Sequence, residues 1–327
     1  PRTFFASASA VLMRGARPVF ADVDPDSQNI TAESLREVLS PATKAIITVH
    51  LAGWPCDMNS ILSLAAEKGL KVIEDCAQAH GATYKGRPVG SLGDAAAFSF
   101  CQDKIMTTGG EGGILTTNDP AIWKRAWSFK DHGKSYEAVY HRAHPNGFRW
   151  LHESVGTNWR MTEMQAAIGL VQLRKLTGWV ERRRRNAALL TQKLRDIPAL
   201  RVPEPPDDIG HAYYKYYVFV RLEYLRKDWS RDRIMAAINA EGVACFTGSC
   251  PEVYLEKAFS EHVSRPTHRL PTAKALGETS LMFLVHPTLG TAEMEGACCV
   301  IESVLRSACS PELSSSKSID MPVSLPA

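Results

Sequence analysis

The chain has no run of about 18 apolar residues, so no membrane-spanning helix is predicted. No secretory leader pattern opens it. Its net charge is only +3 over 327 residues, too small to call for a nucleic-acid or membrane partner. Eight cysteines occur, with no CxxC pair and no framework spacing. Several lie inside apolar runs, as small buried hydrophobes do. That usage fits a reducing cytoplasm rather than a secreted disulfide scaffold. No cluster of residues at metal-ligand spacing stands out, and no metal is expected. No GxGxxG follows a first strand, which argues against a generic dinucleotide-binding protein.

What is present is ordinary soluble-protein material: 45% hydrophobic and 22% charged residues. The length suits about two domains. In the first half, short apolar runs alternate with amphipathic segments. Residues 18–23, 44–49, 71–74, 95–100 and 113–117 read as strands. Thr31 caps a helix from Ala32 to about Leu39, and Asp57 caps another to Lys68, stopped by Gly69. Pro120 opens a further helix at its first position. This alternation predicts an α/β fold, a mainly parallel sheet with helices on both faces. Thr162 opens a long helical pattern to about Arg195, punctuated by Gly178. Its basic run Arg182-Arg183-Arg184-Arg185 reads as a solvated helix face. After Pro203-Glu204-Pro205-Pro206 the pattern changes to a smaller α+β region, with an alternating strand over 213–222 and helices over 231–240 and 293–307. The expected division is a large domain over 1–195, a small one over 196–309, and a disordered Ser/Pro-rich tail over 310–327.

Two segments carry chemistry. Lys71-Val72-Ile73-Glu74-Asp75 is followed by Gln78 and His80, and Phe98-Ser99-Phe100-Cys101-Gln102-Asp103-Lys104 comes after it. Each begins apolar and ends polar, so each delivers polar groups to the carboxyl end of a strand, where open α/β sheets bind ligands. A carboxylate and an amine placed there suit pyridoxal phosphate, with Lys104 as the Schiff-base nucleophile and Asp75 holding the pyridinium proton. The glycines of Thr107-Thr108-Gly109-Gly110-Glu111-Gly112-Gly113 permit close approach to a flat ligand, or simply a turn with positive φ. Ser99 can donate to a phosphate, Gln78 to the ring oxygen, and His80 either positions the same region or packs behind it.

These stretches resemble, in order, the DegT/DnrJ/EryC1/StrS family of fold-type-I pyridoxal-phosphate aminotransferases. They include residues 72–82, Val89-Gly90-Ser91-Leu92-Gly93-Asp94, residues 98–104, Gly110-Glu111-Gly112-Gly113, and residues 156–169 from Gly156-Thr157-Asn158-Trp159-Arg160 onward. The resemblance covers roughly residues 3–305. It implies Lys104 as the Schiff-base lysine, Asp75 on the pyridine nitrogen, Gln78 on the ring hydroxyl, Ser99 on the phosphate and Phe4 stacked on the ring. It also implies that Asn158 reaches the phosphate of a partner subunit, with Arg160 contacting substrate there, so the active unit would be a homodimer. His286 is a candidate for the sugar pocket. The implied reaction moves an amino group from glutamate to a keto group of a nucleotide-linked sugar. The Gly-rich segment is similar to that of members acting at C4, and aminocyclitol synthesis is open as a substrate class. The family's Gly-Ser/Thr-Gly-Thr phosphate segment would lie before Pro1, so the chain reads as a fragment. A truncated, non-catalytic cofactor-binding relative with a regulatory or structural role is the alternative.

Overall fold

The structure is a computed structural model that describes residues 1–260 and 265–310. In chain order its elements begin with α1 (Ala6–Met13), α2 (Ala32–Arg36), β1 (Ala45–Val49), α3 (Met58–Lys68) and β2 (Lys71–Asp75). Next come β3 (Thr83–Tyr84), β4 (Arg87–Pro88), β5 (Ala95–Ser99), β6 (Gly113–Thr116), α4 (Pro120–Phe129), α5 (Tyr136–Tyr140) and α6 (Glu163–Leu194). The remainder is β7 (Leu200–Arg201), β8 (Ile209–Gly210), β9 (Tyr216–Val220), α7 (Arg231–Ala240), β10 (Cys245–Phe246), α8 (Pro271–Thr279), β11 (Ser280–Phe283) and α9 (Thr291–Ala308). Of the tail expected over 310–327, only Ser310 is described, with its N–H on the Tyr224 carbonyl, and the rest lies outside the described residues.

The principal sheet runs β1-β2-β5-β6. The first three strands are parallel, and β6 closes the edge antiparallel to β5. The βα units dictate this order. In α3 the apolar residues Met58, Ile61, Leu64 and Ala65 recur at helical spacing and face the sheet. Gly69 then ends the helix in the left-handed conformation, φ 64°. Val72 and Ala96 meet α2 and α3 in the first core. The opposite face carries Ile73 at 37% exposure and Leu115 at 45%.

A second, antiparallel sheet runs β10-β11-β9-β7. The long helix α6 serves both cores: Val180 packs in the first, and Ala187, Leu190 and Leu194 in the second. Thr162 caps it with a reciprocal bond to Gln165, as the motif predicts. The helix runs through Gly178 without a break.

Four local expectations need correction. Residues 18–23 are not a strand: Val23 makes only an isolated bridge to Ile30. Ala21 instead enters the first core, Phe20 and Val23 enter two smaller apolar clusters, and Asp22 accepts the Thr272 and Ala273 N–H groups at the start of α8. β9 does not alternate, because Tyr216, Val218 and Val220 enter one core and Tyr217 and Phe219 another, so both faces are covered. Asp57 stands at the cap position of α3, yet its carboxylate accepts from Ser60 Oγ and Tyr84 OH rather than from a helix N–H. The arginine run is not a solvated face throughout. Arg183 is only 3% exposed and donates to the carbonyls of Tyr213 and Tyr214, while Arg184 donates to that of His211. The cause is tertiary: this side of α6 packs on the chain leading into β9.

Candidate active site

Asp75 is the last residue of β2 and Ser99 the last of β5. The two strands are adjacent and parallel, with Asp75 opposite Ala97, so both side chains emerge at the same edge. Asp75 is held from two sides. Its Oδ2 accepts the Ser7 hydroxyl at 2.6 Å, and its Oδ1 accepts the Ala77 N–H at 3.0 Å. Ser7 itself exchanges a hydrogen bond with Thr3. Gln78 is buried, and its Oε1 accepts the Ala52 N–H at 2.7 Å, which orients the amide. Ser99 Oγ accepts the Cys101 N–H and keeps its own hydrogen available to an acceptor.

Lys104 sits in the loop after β5, with its backbone N–H on the Cys101 carbonyl. Its side chain is 16% exposed, and Nζ pairs with Asp103 at 3.1 Å. His80 is buried against Phe98 and Phe100, and neither ring nitrogen has a hydrogen-bond partner. Burial first, with the charges of Lys104 and Arg183 adding to it, pushes its pKa down to about 4, so the ring is neutral. The Gly-rich segment links antiparallel neighbours β5 and β6, and Gly109 and Gly110 turn it with φ 82° and 152°. At Gly112 a Cβ would fall 2.3 Å from Thr108 Oγ1.

One buried network beneath this edge is not visible as a motif. Glu74, between Ile73 and Asp75, points to the covered face. Its Oε1 accepts the N–H groups of Leu92 and Gly93, and its Oε2 accepts Gly90 N–H and His50 Nε2. His50 Nδ1 accepts the Cys56 N–H, so the ring is the tautomer that donates from Nε2. With Cys76, these groups lie close enough to hold a metal ion. The lone pairs are already spent, however, and burial pushes the Cys76 thiol far up, so the set reads as a structural tie. Burial also opposes the Glu74 charge, but the bonds from His50, Gly90 and Gly93 outweigh it and hold the carboxyl below its ordinary range.

The other expected residues lie apart. Phe4 is 69% exposed just before α1. Asn158 bridges to Asp131, and Arg160 pairs with the same aspartate at 2.6 Å. Among the described hydrogen bonds and ion pairs, neither joins Lys104, Asp75 or Ser99. His286 follows β11, with Nδ1 2.7 Å from Thr288 Oγ1. Burial lowers its pKa, with Arg183 and Lys215 adding to the effect, so it lies within their field.

An amine, a braced carboxylate, an oriented amide, a free hydroxyl and an orphaned buried imidazole form a donor set that fits pyridoxal phosphate. The sequence pattern of the DegT/DnrJ/EryC1/StrS aminotransferase family matches residues 1–303. A solved aminotransferase from Psychrobacter cryohalolentis is 57% identical, with TM-score 0.92 over 94% of this chain and 80% of that one. The UDP-N-acetyl-3-dehydro-alpha-D-glucosamine 3-aminotransferase of Acidithiobacillus ferrooxidans is 35% identical over 93% of this chain and 77% of its own length. The dTDP-4-dehydro-2,3,6-trideoxy-D-glucose 4-aminotransferase of Saccharopolyspora spinosa is 33% identical over 89% of this chain and 73% of its own.

Proposed function

The chain belongs to the DegT/DnrJ/EryC1/StrS aminotransferase family, and from that premise we propose that it moves an amino group from glutamate to the C4 keto group of a nucleotide-linked sugar. It is a pyridoxal-phosphate-dependent transaminase of fold type I. The ring position is our own choice, since relatives named for both the 3- and the 4-position are similar to it. The observation that carries the reading is a braced Asp75 and a Ser99 hydroxyl at the ends of two neighbouring parallel strands, with the enclosed Lys104 in the loop that follows the second.

Pyridoxal phosphate, when bound, supplies an electron sink for the carbon beside the transferred nitrogen. We assign Asp75 to its ring nitrogen, Gln78 to its hydroxyl, Ser99 to its phosphate and Phe4 to its ring face, with His80 behind. Lys104 Nζ takes a proton from the reacting carbon and returns one, as general base and then general acid. The carboxylate of Asp75 keeps its aim because Ser7 and Ala77 occupy one lone pair on each oxygen. Arg160 and His286 are assigned to substrate.

We propose a homodimer in which Asn158 completes the partner's site. The support is the number of large apolar side chains left exposed close to it in the sequence: Phe148, Trp150, Val155, Trp159, Met164 and Ile168. The two cores are taken as the large and small domains, divided near residue 195. We place the reaction in the cytoplasm, where the free cysteines stay reduced. No helix among the described residues is long and apolar enough to cross a membrane. The test is Lys104→Ala. Borohydride treatment of the cofactor-loaded parent should fix the cofactor on the Lys104 peptide, and the variant should lose both this adduct and turnover. Transamination at the parent rate by the variant would sink the assignment.

A further inference from the structure

Lys104 is gripped by two residues to which the resemblance assigns no role. Asp103 Oδ1 lies 3.1 Å from its ammonium. The other oxygen of Asp103 accepts the Tyr214 hydroxyl at 2.5 Å. The Tyr214 ring then turns its face to Lys104, whose Nζ stands 5.3 Å from the centroid. Amine, carboxylate and phenol thus close a triangle. Its corners come from separate parts of the chain: the loop after β5, and the segment between β8 and β9.

Tyr214 is itself fixed. It is buried, and Arg183 Nη1 donates to its carbonyl at 3.2 Å. Lys215 Nζ also lies over the ring, 4.8 Å from the centroid. The Tyr214 ring thus carries both Lys104 and Lys215 over it, and Lys215 lies in the field of Asp103, Arg183 and Lys104. Asp103 supplies the one carboxylate in direct contact with the Lys104 amine among the described residues. Burial works against its charge, but the bond from Tyr214 and the Lys104 pair pull its carboxyl below the usual range, so it is ionised at neutral pH.

We propose that Asp103 and Tyr214 are positioning residues that hold the Lys104 amine in place during the half of the cycle in which it is free. The inference rests on the reading of Lys104 given above. A free lysine swings on a flexible four-carbon stem. A proton carrier must instead stay within hydrogen-bond reach of one carbon. An anchored carboxylate beside an aromatic face removes that freedom without bonding the amine covalently. The tie to Tyr214 also makes the position of the amine depend on the segment that leads into the second sheet.

The test uses Asp103→Asn, which keeps size and still accepts from Tyr214, and Tyr214→Phe, which leaves the carboxylate unanchored. In cofactor-free protein, acetic anhydride labelling of Lys104 is followed by peptide mass spectrometry across pH. We expect Lys104 to be labelled about tenfold faster in Asp103→Asn than in the parent, because the amine has lost the opposite charge beside it, and faster also in Tyr214→Phe, where the carboxylate is no longer anchored. Asp103→Glu should restore the parent profile. In loaded enzyme, kcat should fall roughly 10- to 100-fold while KM for glutamate holds, because only the placement of the proton carrier is lost. If Asp103→Asn does not fold by circular dichroism, Tyr214→Phe decides alone. Unchanged labelling and unchanged kcat in the folded variants overturn the inference. Failure of the underlying reading looks different: Lys104→Ala would remain active whatever the labelling shows.

Discussion

Replacing Glu74 by Gln tests whether the buried tie under the active-site edge is ionic in effect and not merely a shape. The carboxylate receives four donors, two on each oxygen, with N···O distances of 2.8 Å to Leu92, Gly93 and Gly90 and 3.0 Å to His50. A glutamine amide offers an oxygen on one side only. Whichever way it turns, an NH2 group meets two donors. His50 cannot relieve the conflict by changing tautomer, because its Nδ1 already accepts from Cys56. Two buried donors therefore lose their acceptor, at about 1–3 kcal/mol each. The expected loss is about 2–6 kcal/mol, a large share of the roughly 5–15 kcal/mol that holds a typical fold. Urea unfolding should be followed both by far-ultraviolet circular dichroism and by tryptophan fluorescence, since Trp54 packs on His211 near this core. The sign of the pH dependence adds a second check. The folded-state carboxyl titrates below its ordinary value of 4.5. Its contribution is thus complete above that value and is lost as pH falls through the lower, folded one. The gap between parent and Glu74→Gln should be widest near neutrality and narrow in acid. A variant within about 1 kcal/mol of the parent at pH 7, or a gap independent of pH, would refute the reasoning.

Two further outcomes are expected. Gly90→Ala should destabilise by roughly 1–3 kcal/mol from backbone strain alone. Gly90 has φ 85°, and a Cβ there would stand 2.5 Å from the Phe98 ring, so calorimetry should show a lower melting temperature and titration a weaker hold on pyridoxal phosphate. If Asn158 serves the partner's site, Lys104→Ala and Asn158→Ala chains should each be impaired alone, yet their co-expression should recover roughly a quarter of the parent activity, since about half the dimers are mixed and each of these keeps one intact site of two. No recovery in mixed dimers that chromatography shows to have formed counts against a shared site.

What could be read from sequence, and what could not, divides along a physical line. The placement of Asp75 and Ser99 was legible because strand ends are local features: an apolar run that stops marks an edge, and an open α/β sheet offers ligands that edge. The caps at Thr31 and Thr162 and the stop at Gly69 were legible for the same reason, since each is settled within a turn of helix. The strand expected over 18–23 failed because a strand needs a partner, and an apolar run does not name one. Arg183 looked solvated because its burial is decided by the chain that packs on it, 30 and 31 residues on. Ser7 and Tyr214 were invisible as site residues for the same reason, as their bonds to Asp75 and Asp103 span 68 and 111 positions. The groups proposed to do chemistry are those exposed at a local edge, and the groups that hold them steady arrive from far along the chain. Substitutions in the two sets should therefore differ in kind. Loss of Lys104 should remove a step outright, whereas loss of Ser7, Glu74, Asp103 or Tyr214 should leave each step possible but less well aimed.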